Sequence, residues 1–162
     1  MTASEYVSHL KMLPHPEGGF FAEHYRSDLQ IDSVGFGGMR SACTSIYFLL
    51  EKGNFSALHR IKSDEIWHFY DGDPLEIIEI SEEGELTITH LGRNLGKGEN
   101  IAYTVKAGQW FGSRVKESGL FSLVGCTVAP GFDFQDFEMP SRAYFEKEFP
   151  KLKSKIQEFT RL

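Results

Sequence analysis

The amino-acid sequence predicts an all-β fold, a sandwich or closed barrel, with short helices at both ends. Between residues 20 and 129 the chain consists of nine short runs that alternate or are wholly apolar, and turn residues separate them. A sheet with this many short strands disposes of its free edges by closing on itself. The 162 residues are enough for one hydrophobic core and too few for two domains.

Apolar residues at helical intervals predict an amphipathic helix at the start of the chain. Tyr6, Val7, Leu10 and Leu13 share one helical face, and Pro14 ends the helix. The prolines and glycines of LPHPEGG then form a break before the first strand.

The nine predicted strands follow in order through the centre of the chain. β-Branched and aromatic residues are frequent in them, as is typical of strands. They are FFAEHYRS, CTSIYFLL, FSALHRI, EIWHFY, LEIIEI, ELTITHL, IAYTV, WFGS and LFSLVGCTV. The fifth and sixth read as a hairpin around Glu83 and Gly84.

After Pro130 the chain is first irregular and then helical. Two helical faces are separated by Pro150, the first with Phe145 and Phe149 and the second with Leu152, Ile156 and Phe159. We therefore predict a core barrel over about 20–138 and C-terminal helices over about 141–161, within a single domain of residues 1–162.

Composition excludes several classes of function. The net charge of −6, with no basic cluster, argues against nucleic acid and against an anionic membrane surface. No apolar run approaches membrane-spanning length, and the opening residues lack the apolar segment of a secretory signal. The two cysteines, Cys43 and Cys126, lie in apolar strands and read as reduced core thiols. We expect a cytoplasmic protein.

The stretch GNFSALHRIKSDEIWHFYDG, from Gly53 to Gly72, contains the strongest candidate site. Side chains alternate along a strand, so His59 and Ile61 share one face and Glu65, Trp67 and Phe69 share a face of the next strand. The turn between the strands brings His59 and Glu65 together inside the barrel, where Trp67 and Phe69 would line the same cavity.

The spacing of Gly53, His59, Glu65 and Gly72 resembles the first cupin motif, and VKAGQWFGS resembles part of the second. The longer phrases HPEGGFFAEHYRSD, SDEIWHFYDGDPL and VGCTVAPGFDFQDFE resemble one cupin branch of largely unassigned function. That branch is similar in fold to sugar-nucleotide 3,5-epimerases and to germins. The resemblance implies a cupin double-stranded β-helix, or jelly-roll, barrel.

Metal-binding cupins hold their ion with three histidines and a glutamate. At the matching positions this chain has His59 and Glu65, but Ile61 and Phe111 replace the other two histidines. Two ligands are too few for a tight transition-metal site, so we expect no cofactor. A divalent metal is the alternative, with His68 as third ligand, although alternation points His68 away from Glu65. His24 or His90, recruited from a neighbouring strand, is the other candidate for a third ligand.

Without a metal, His59 and Glu65 make a plausible acid–base pair, in which the carboxylate fixes the imidazole tautomer. The resemblance to metal-free epimerases implies proton abstraction by His59 from a sugar-like metabolite. A non-catalytic cupin that binds a small ligand is the alternative, and a metal-dependent oxygenase or isomerase is a third hypothesis. Aromatic residues are the candidate ligand-binding wall: Trp67, Phe69, Tyr47, Trp110 and Phe111.

Two further stretches carry structural expectations. In EGGFFAEHYRS, alternation places Glu23 and Tyr25 on one face and His24 and Arg26 on the other. If this strand pairs across a dimer, as is common in the fold that the sequence resembles, Arg26 is a salt-bridge partner or an anchor for an anion, and we favour the structural role. The phenylalanines of GFDFQDFE favour packing at an edge or subunit interface over a lid on a pocket. Barrel edges and aromatic termini need to be covered, so we expect a homodimer. We also expect the protein to bind a small-molecule ligand.

Overall fold

The structure is a computed structural model that describes residues 1–161, in which twelve strands form three antiparallel sheets. The strands are β1 (Leu13–Pro14), β2 (Phe20–Arg26), β3 (Gln30–Asp32), β4 (Met39–Ser41), β5 (Thr44–Glu51), β6 (Phe55–His59), β7 (Asp64–Gly72), β8 (Leu75–Ile80), β9 (Leu86–Leu91), β10 (Ala102–Val105), β11 (Trp110–Val115) and β12 (Phe121–Ala129). The all-β prediction is confirmed. Leu162, the last residue of the predicted domain, lies outside the described residues.

Two sheets make the jelly-roll barrel. One has the strand order β1-β2-β5-β12-β7-β10 and the other the order β6-β11-β8-β9, while β3 and β4 form a separate hairpin. All nine strands predicted from the sequence are present. The three that were not predicted, β1, β3 and β4, have two or three residues each, too few to show a periodicity.

The barrel core lies between the two sheets. Its largest members come from inward positions of alternating strands, and each is at most 1% exposed: Phe48, Leu50, Trp67, Ile77 and Phe111. Burial of side chains of this size is the main source of stability in a small β domain. This core fills part of the barrel interior.

Three α-helices are present in the described part of the chain: α1 (Ala3–His9), α2 (Arg142–Glu148) and α3 (Lys153–Glu158). Thr2 and Glu5 cap α1 reciprocally. Phe145, Ile156 and Phe159 pack beneath α2 and α3 on Trp110 and Leu58 of the four-stranded sheet, as the spacing predicted. None of these helices combines the length and apolar character needed to span a bilayer.

The first helix is shorter than its predicted extent. It ends at His9, and Lys11 takes a positive φ of 52°, which turns the chain back on itself. Because of this reversal Met12 is buried, whereas Leu13 is exposed in β1.

Strand β2 departs from simple alternation. The register with β5 shifts between Glu23 and Tyr25, so one extra residue is inserted there as a β-bulge. The prediction that Glu23 and Arg26 face opposite sides was therefore wrong, because both side chains line the same cavity. Arg26 forms a salt bridge within the chain, and its partner is Glu23 at 2.7 Å.

Candidate functional site

A cavity of about 300 Å³ opens within the barrel. Strands β2, β5, β6, β7 and β12 contribute to its lining, together with the segment that follows β12. Five phenylalanines are the aromatic side chains of the wall other than His15 and His59, namely Phe21, Phe48, Phe132, Phe134 and Phe137. The polar side chains at its inner end are few and convergent, which is the usual composition of a small-molecule site.

His59 is held rigidly at this inner end. It is 2% exposed, and its ring lies between Phe111, with ring centroids 4.1 Å apart, and Phe137, at 5.2 Å. Its Nδ1 is 2.7 Å from the Ala57 carbonyl oxygen. A carbonyl only accepts, so Nδ1 carries a proton and Nε2 is the nitrogen whose protonation can change.

Glu17 is the direct partner of His59. The Nε2 of His59 is 3.1 Å from the Glu17 Oε2 atom, while Ser56 donates its hydroxyl to Oε1 at 2.9 Å. The Ala57 backbone N–H also donates to the Glu17 carbonyl at 2.8 Å. Strand β6 therefore fixes the position of both the carboxyl group and the imidazole.

The glycines after Glu17 allow this close approach. Gly18 and Gly19 both have positive φ, at 118° and 74°. A Cβ at Gly19 would lie 2.6 Å from the Leu49 carbonyl oxygen, and one at Gly18 would collide with the carbonyl oxygen of Phe55. Only glycine fits at these positions, so the sequence EGG is what places Glu17 against β6.

The Glu17–His59 pair shares a proton. Burial lowers the pKa of His59, against the opposing effect of the Glu65 charge. Burial also raises the pKa of the Glu17 carboxyl, against the effects of His15 and Ser56. Both changes favour the neutral forms, with the Glu17 O–H donating to Nε2. Transfer of that one proton across the bond converts the pair to carboxylate and imidazolium.

Glu65 is a second proton carrier in the same cavity. Burial raises the pKa of Glu65 to about 7, although the nearby His59 lowers it. The Cys126 thiol is a hydrogen-bonding neighbour of this carboxyl, and burial raises the pKa of that thiol well above its ordinary value. Cys126 therefore stays protonated and acts as a donor to Glu65, while Glu65 itself changes charge near neutral pH.

The bond to Ala57 makes a prediction that needs no substrate. In the neutral protein at pH 7, we expect His59 to be the Nδ1–H tautomer, with a non-protonated Nε2. Two-dimensional ¹H–¹⁵N correlation of the imidazole nitrogens measures this directly, and His24, which is exposed on β2, serves as the internal comparison. An Nε2–H tautomer of His59 would contradict the arrangement.

The structure places both predicted acid–base residues, His59 and Glu65, on the cavity wall. Their expected relationship needs correction, however, because Glu17 rather than Glu65 bonds to the imidazole and the Ala57 carbonyl fixes the tautomer. Phe111 pairs directly with His59 between β11 and β6 and supports the imidazole from behind. It does not belong to the cavity lining.

The other four predicted ligand-binding residues also lie outside that lining. Trp67 and Phe69 do point inward, but they fill the barrel core rather than the cavity. Tyr47 is on the outer face of the six-stranded sheet, where its ring contacts His24 at 4.4 Å. Trp110 lies on the opposite face of β11 from Phe111, against Phe145. Their placement assigns all four to packing.

The residues present do not fit the cupin metal site. Ile61 and Phe111 offer no donor atom, and His68 bonds to Thr127 at 3.3 Å rather than facing Glu65. Across residues 1–161, no three His, Cys, Asp or Glu side chains are arranged to hold a metal ion. Glu17, His59 and Glu65 are among the titratable side chains that do line the cavity.

Sequence reasoning missed Glu17, His15 and the wall formed by the segment after β12. That segment was expected to pack at an edge, yet Phe132, Phe134 and Phe137 face the cavity. A buried ion pair holds it, in which Arg40 donates to Asp136 at 2.7 and 3.0 Å. The phrases HPEGG and GFDFQDFE could have indicated these residues, because each places polar residues between aromatic or turn residues.

Comparisons with known proteins agree with this fold. The model of a protein family described as Cupin superfamily (DUF985) matches residues 4–140. A solved structure from Shewanella oneidensis is 41% identical, covers 99% of this chain and 98% of that chain, and has a TM-score of 0.92. A hypothetical protein from Leishmania major is 34% identical over the whole of both chains, with a TM-score of 0.94.

More distant matches show the fold alone. A variant of oxalate decarboxylase from Bacillus subtilis is 16% identical, with a TM-score of 0.55 over 90% of this chain and 36% of that chain. No curated protein matches the chain.

Proposed function

The chain belongs to the cupin superfamily, in the family described as DUF985, and from this premise we propose a metal-independent isomerase or epimerase that moves a proton on a small carbonyl metabolite. The observation that carries the proposal is a cavity with two separate proton carriers, the Glu17–His59 pair and Glu65. Two such groups let an enzyme remove a proton from carbon at one position and return a proton from another.

The chemistry follows from the protonation states. As the Glu17 proton passes to the Nε2 atom of His59, the freed Glu17 carboxylate takes a proton from the carbon next to the substrate carbonyl, and the C–H electron pair moves into the enolate. Glu65, protonated in about half of the molecules near pH 7, returns a proton to the same carbon from another side or to the neighbouring carbon. A base is most effective when its pKa lies near the working pH, which supports Glu65 in this role.

The surroundings support a reaction without a metal. Ile61 takes the place of one cupin ligand and lines the cavity, while Phe111 takes the place of another and packs on His59. The phenylalanine rings of the lining lower the local dielectric, which strengthens the interaction between developing charges and the side chains of Glu17, His59 and Glu65. An uncharged sugar derivative is one member of the substrate class that these features favour.

Solvent-deuterium exchange tests this proposal. We expect the protein to accelerate exchange of the carbon-bound protons of a small ketone, with phenylacetone and dihydroxyacetone as probes in D₂O and ¹H NMR as the measurement. Replacing His59 by Gln should slow that exchange by about 10²–10⁴-fold, the usual contribution of a general base.

Exposed His9 provides the matched control, since His9→Gln removes an imidazole from the surface and should leave the exchange rate unchanged. Exchange in the His59 variant at the wild-type rate would contradict the proposal. Binding of both probes with no exchange would also contradict it, and would instead indicate a non-catalytic binding cupin.

A further inference from the structure

The charges around the cavity are unequal. Four carboxyl groups line it, Glu17 and Glu65 at the inner end and Glu23 and Asp133 near the mouth. Arg26 is the one lysine or arginine among the lining residues of the described chain, and its side chain is 44% exposed at the mouth. The inner end therefore offers an anion no lysine or arginine, and burial lowers the pKa values of its two histidines, His15 and His59, which favours their neutral forms.

Arg26 is also already occupied. Its Nε and Nη2 atoms donate to the two carboxylate oxygens of Glu23 at 2.9 and 2.7 Å, a bidentate arrangement. The Nη1 and Nη2 atoms donate to the Phe132 carbonyl at 3.2 and 3.3 Å. The bulge in β2 makes this possible, because it turns Glu23 and Arg26 to the same side of the sheet.

We propose that Glu23, by holding Arg26, makes this cavity select uncharged ligands over anionic ones. A carboxylate or phosphate entering an apolar cavity loses its hydration, and it recovers that energy only by pairing with a cation. Here the nearest guanidinium is already paired, and further carboxyl groups lie beside it. An uncharged ligand avoids both the loss of ionic hydration and the repulsion from these carboxyl groups.

The wall adds a second property of the ligand. The rings of Phe21, Phe132, Phe134 and Phe137 offer aromatic surface, and the volume of about 300 Å³ is at the lower end of the range for small-molecule sites. The substrate class is thus a compact, uncharged molecule with one apolar face and one carbonyl or hydroxyl group directed at His59 and Glu65. This inference rests on the proposed function only in placing the ligand in this cavity.

Benzamide and benzoate test the inference, since they share one shape and differ in charge at neutral pH. Titration followed by ¹H–¹⁵N NMR gives both dissociation constants without any need for turnover. In the wild-type protein we expect benzamide to bind about tenfold or more tightly than benzoate. In Glu23→Gln, which frees Arg26, benzoate affinity should rise about three- to tenfold while benzamide affinity stays the same.

Glu138→Gln is the matched control, because it removes a carboxylate from another exposed ion pair, with Arg60, outside the cavity lining. It should leave both affinities unchanged. Wild-type preference for benzoate, an unchanged ratio in Glu23→Gln, or no benzamide binding up to about 50 mM would each overturn the inference. Selective benzamide binding without deuterium exchange of ketones would uphold it while the proposed enzyme activity fails.

Discussion

Replacing Glu65 by Gln is expected to stabilise the folded protein at pH 8 by roughly 3 kcal/mol and to have little effect below pH 4.5. The reason is that burial raises the pKa of this carboxyl from 4.5 to about 7. Glutamine has the shape of the protonated carboxyl and never ionises. The variant therefore removes the cost of holding a carboxylate in an apolar cavity.

The sign of this pH effect is fixed by the direction of the pKa change. Between pH 4.5 and 7 the folded protein keeps a proton on Glu65 that the unfolded chain has released, so the fold binds more protons. The stability contributed by protonated Glu65 is complete below pH 4.5 and is lost as the pH rises through 7. In Glu65→Gln this part of the pH dependence disappears.

Urea unfolding of both proteins at a series of pH values measures the effect. Glu82→Gln, on the exposed loop between β8 and β9, removes the same charge without changing the cavity and should not alter the pH dependence. Equal stability of wild-type and Glu65→Gln protein at pH 8 would contradict the assignment of a buried, proton-holding carboxyl.

A destabilising carboxyl in a barrel core is informative about function. An apolar or amide residue at position 65 would give a more stable protein, so the glutamate reduces stability to keep a titratable group in the cavity. Stability is commonly sacrificed in this way where chemistry is performed. The gain predicted for Glu65→Gln should accordingly be accompanied by loss of the proposed proton transfer.

Local alternation was sufficient to predict the all-β class and half of the candidate site, whereas the jelly-roll was predicted from the resemblance to cupin motifs. His59 and Glu65 lie on adjoining segments joined by a short turn, so the two-residue period decides which way they point. The same period correctly directed Trp67 and Phe69 inward. The two-residue period does not indicate where along the barrel axis a side chain lies, however. Both rings belong to the barrel core and not to the cavity lining.

The remaining half depends on contacts that no local pattern contains. Glu17 reaches His59 from a loop 42 residues earlier in the chain, and its position is set by pairing with β6. The bulge in β2 reverses the side on which Arg26 lies, and nothing in FFAEHYRS marks the extra residue. The wall after β12 depends on Arg40, which forms its ion pair with Asp136 across 96 residues.

Replacing Glu17 by Gln is expected to slow deuterium exchange by about a hundredfold while the protein remains folded. The glutamine Oε1 can still accept from Ser56, but its amide N–H donates permanently to the Nε2 of His59 and has no proton to give up. The base is then blocked, and an imidazolium at His59 would lack its carboxylate partner.

A purely structural role for Glu17 predicts a different set of results. Because burial raises the pKa of Glu17, the glutamine variant should be no less stable than wild type above pH 7, so loss of exchange could not be explained by unfolding. The ¹⁵N signals should show the pKa of His59 lowered further.

Ser56→Ala is the matched control, since it removes one bond to Glu17 but keeps the shared proton, and it should slow exchange by less than about tenfold. Wild-type exchange in Glu17→Gln, with the pKa of His59 unchanged, would remove Glu17 from the proposed mechanism.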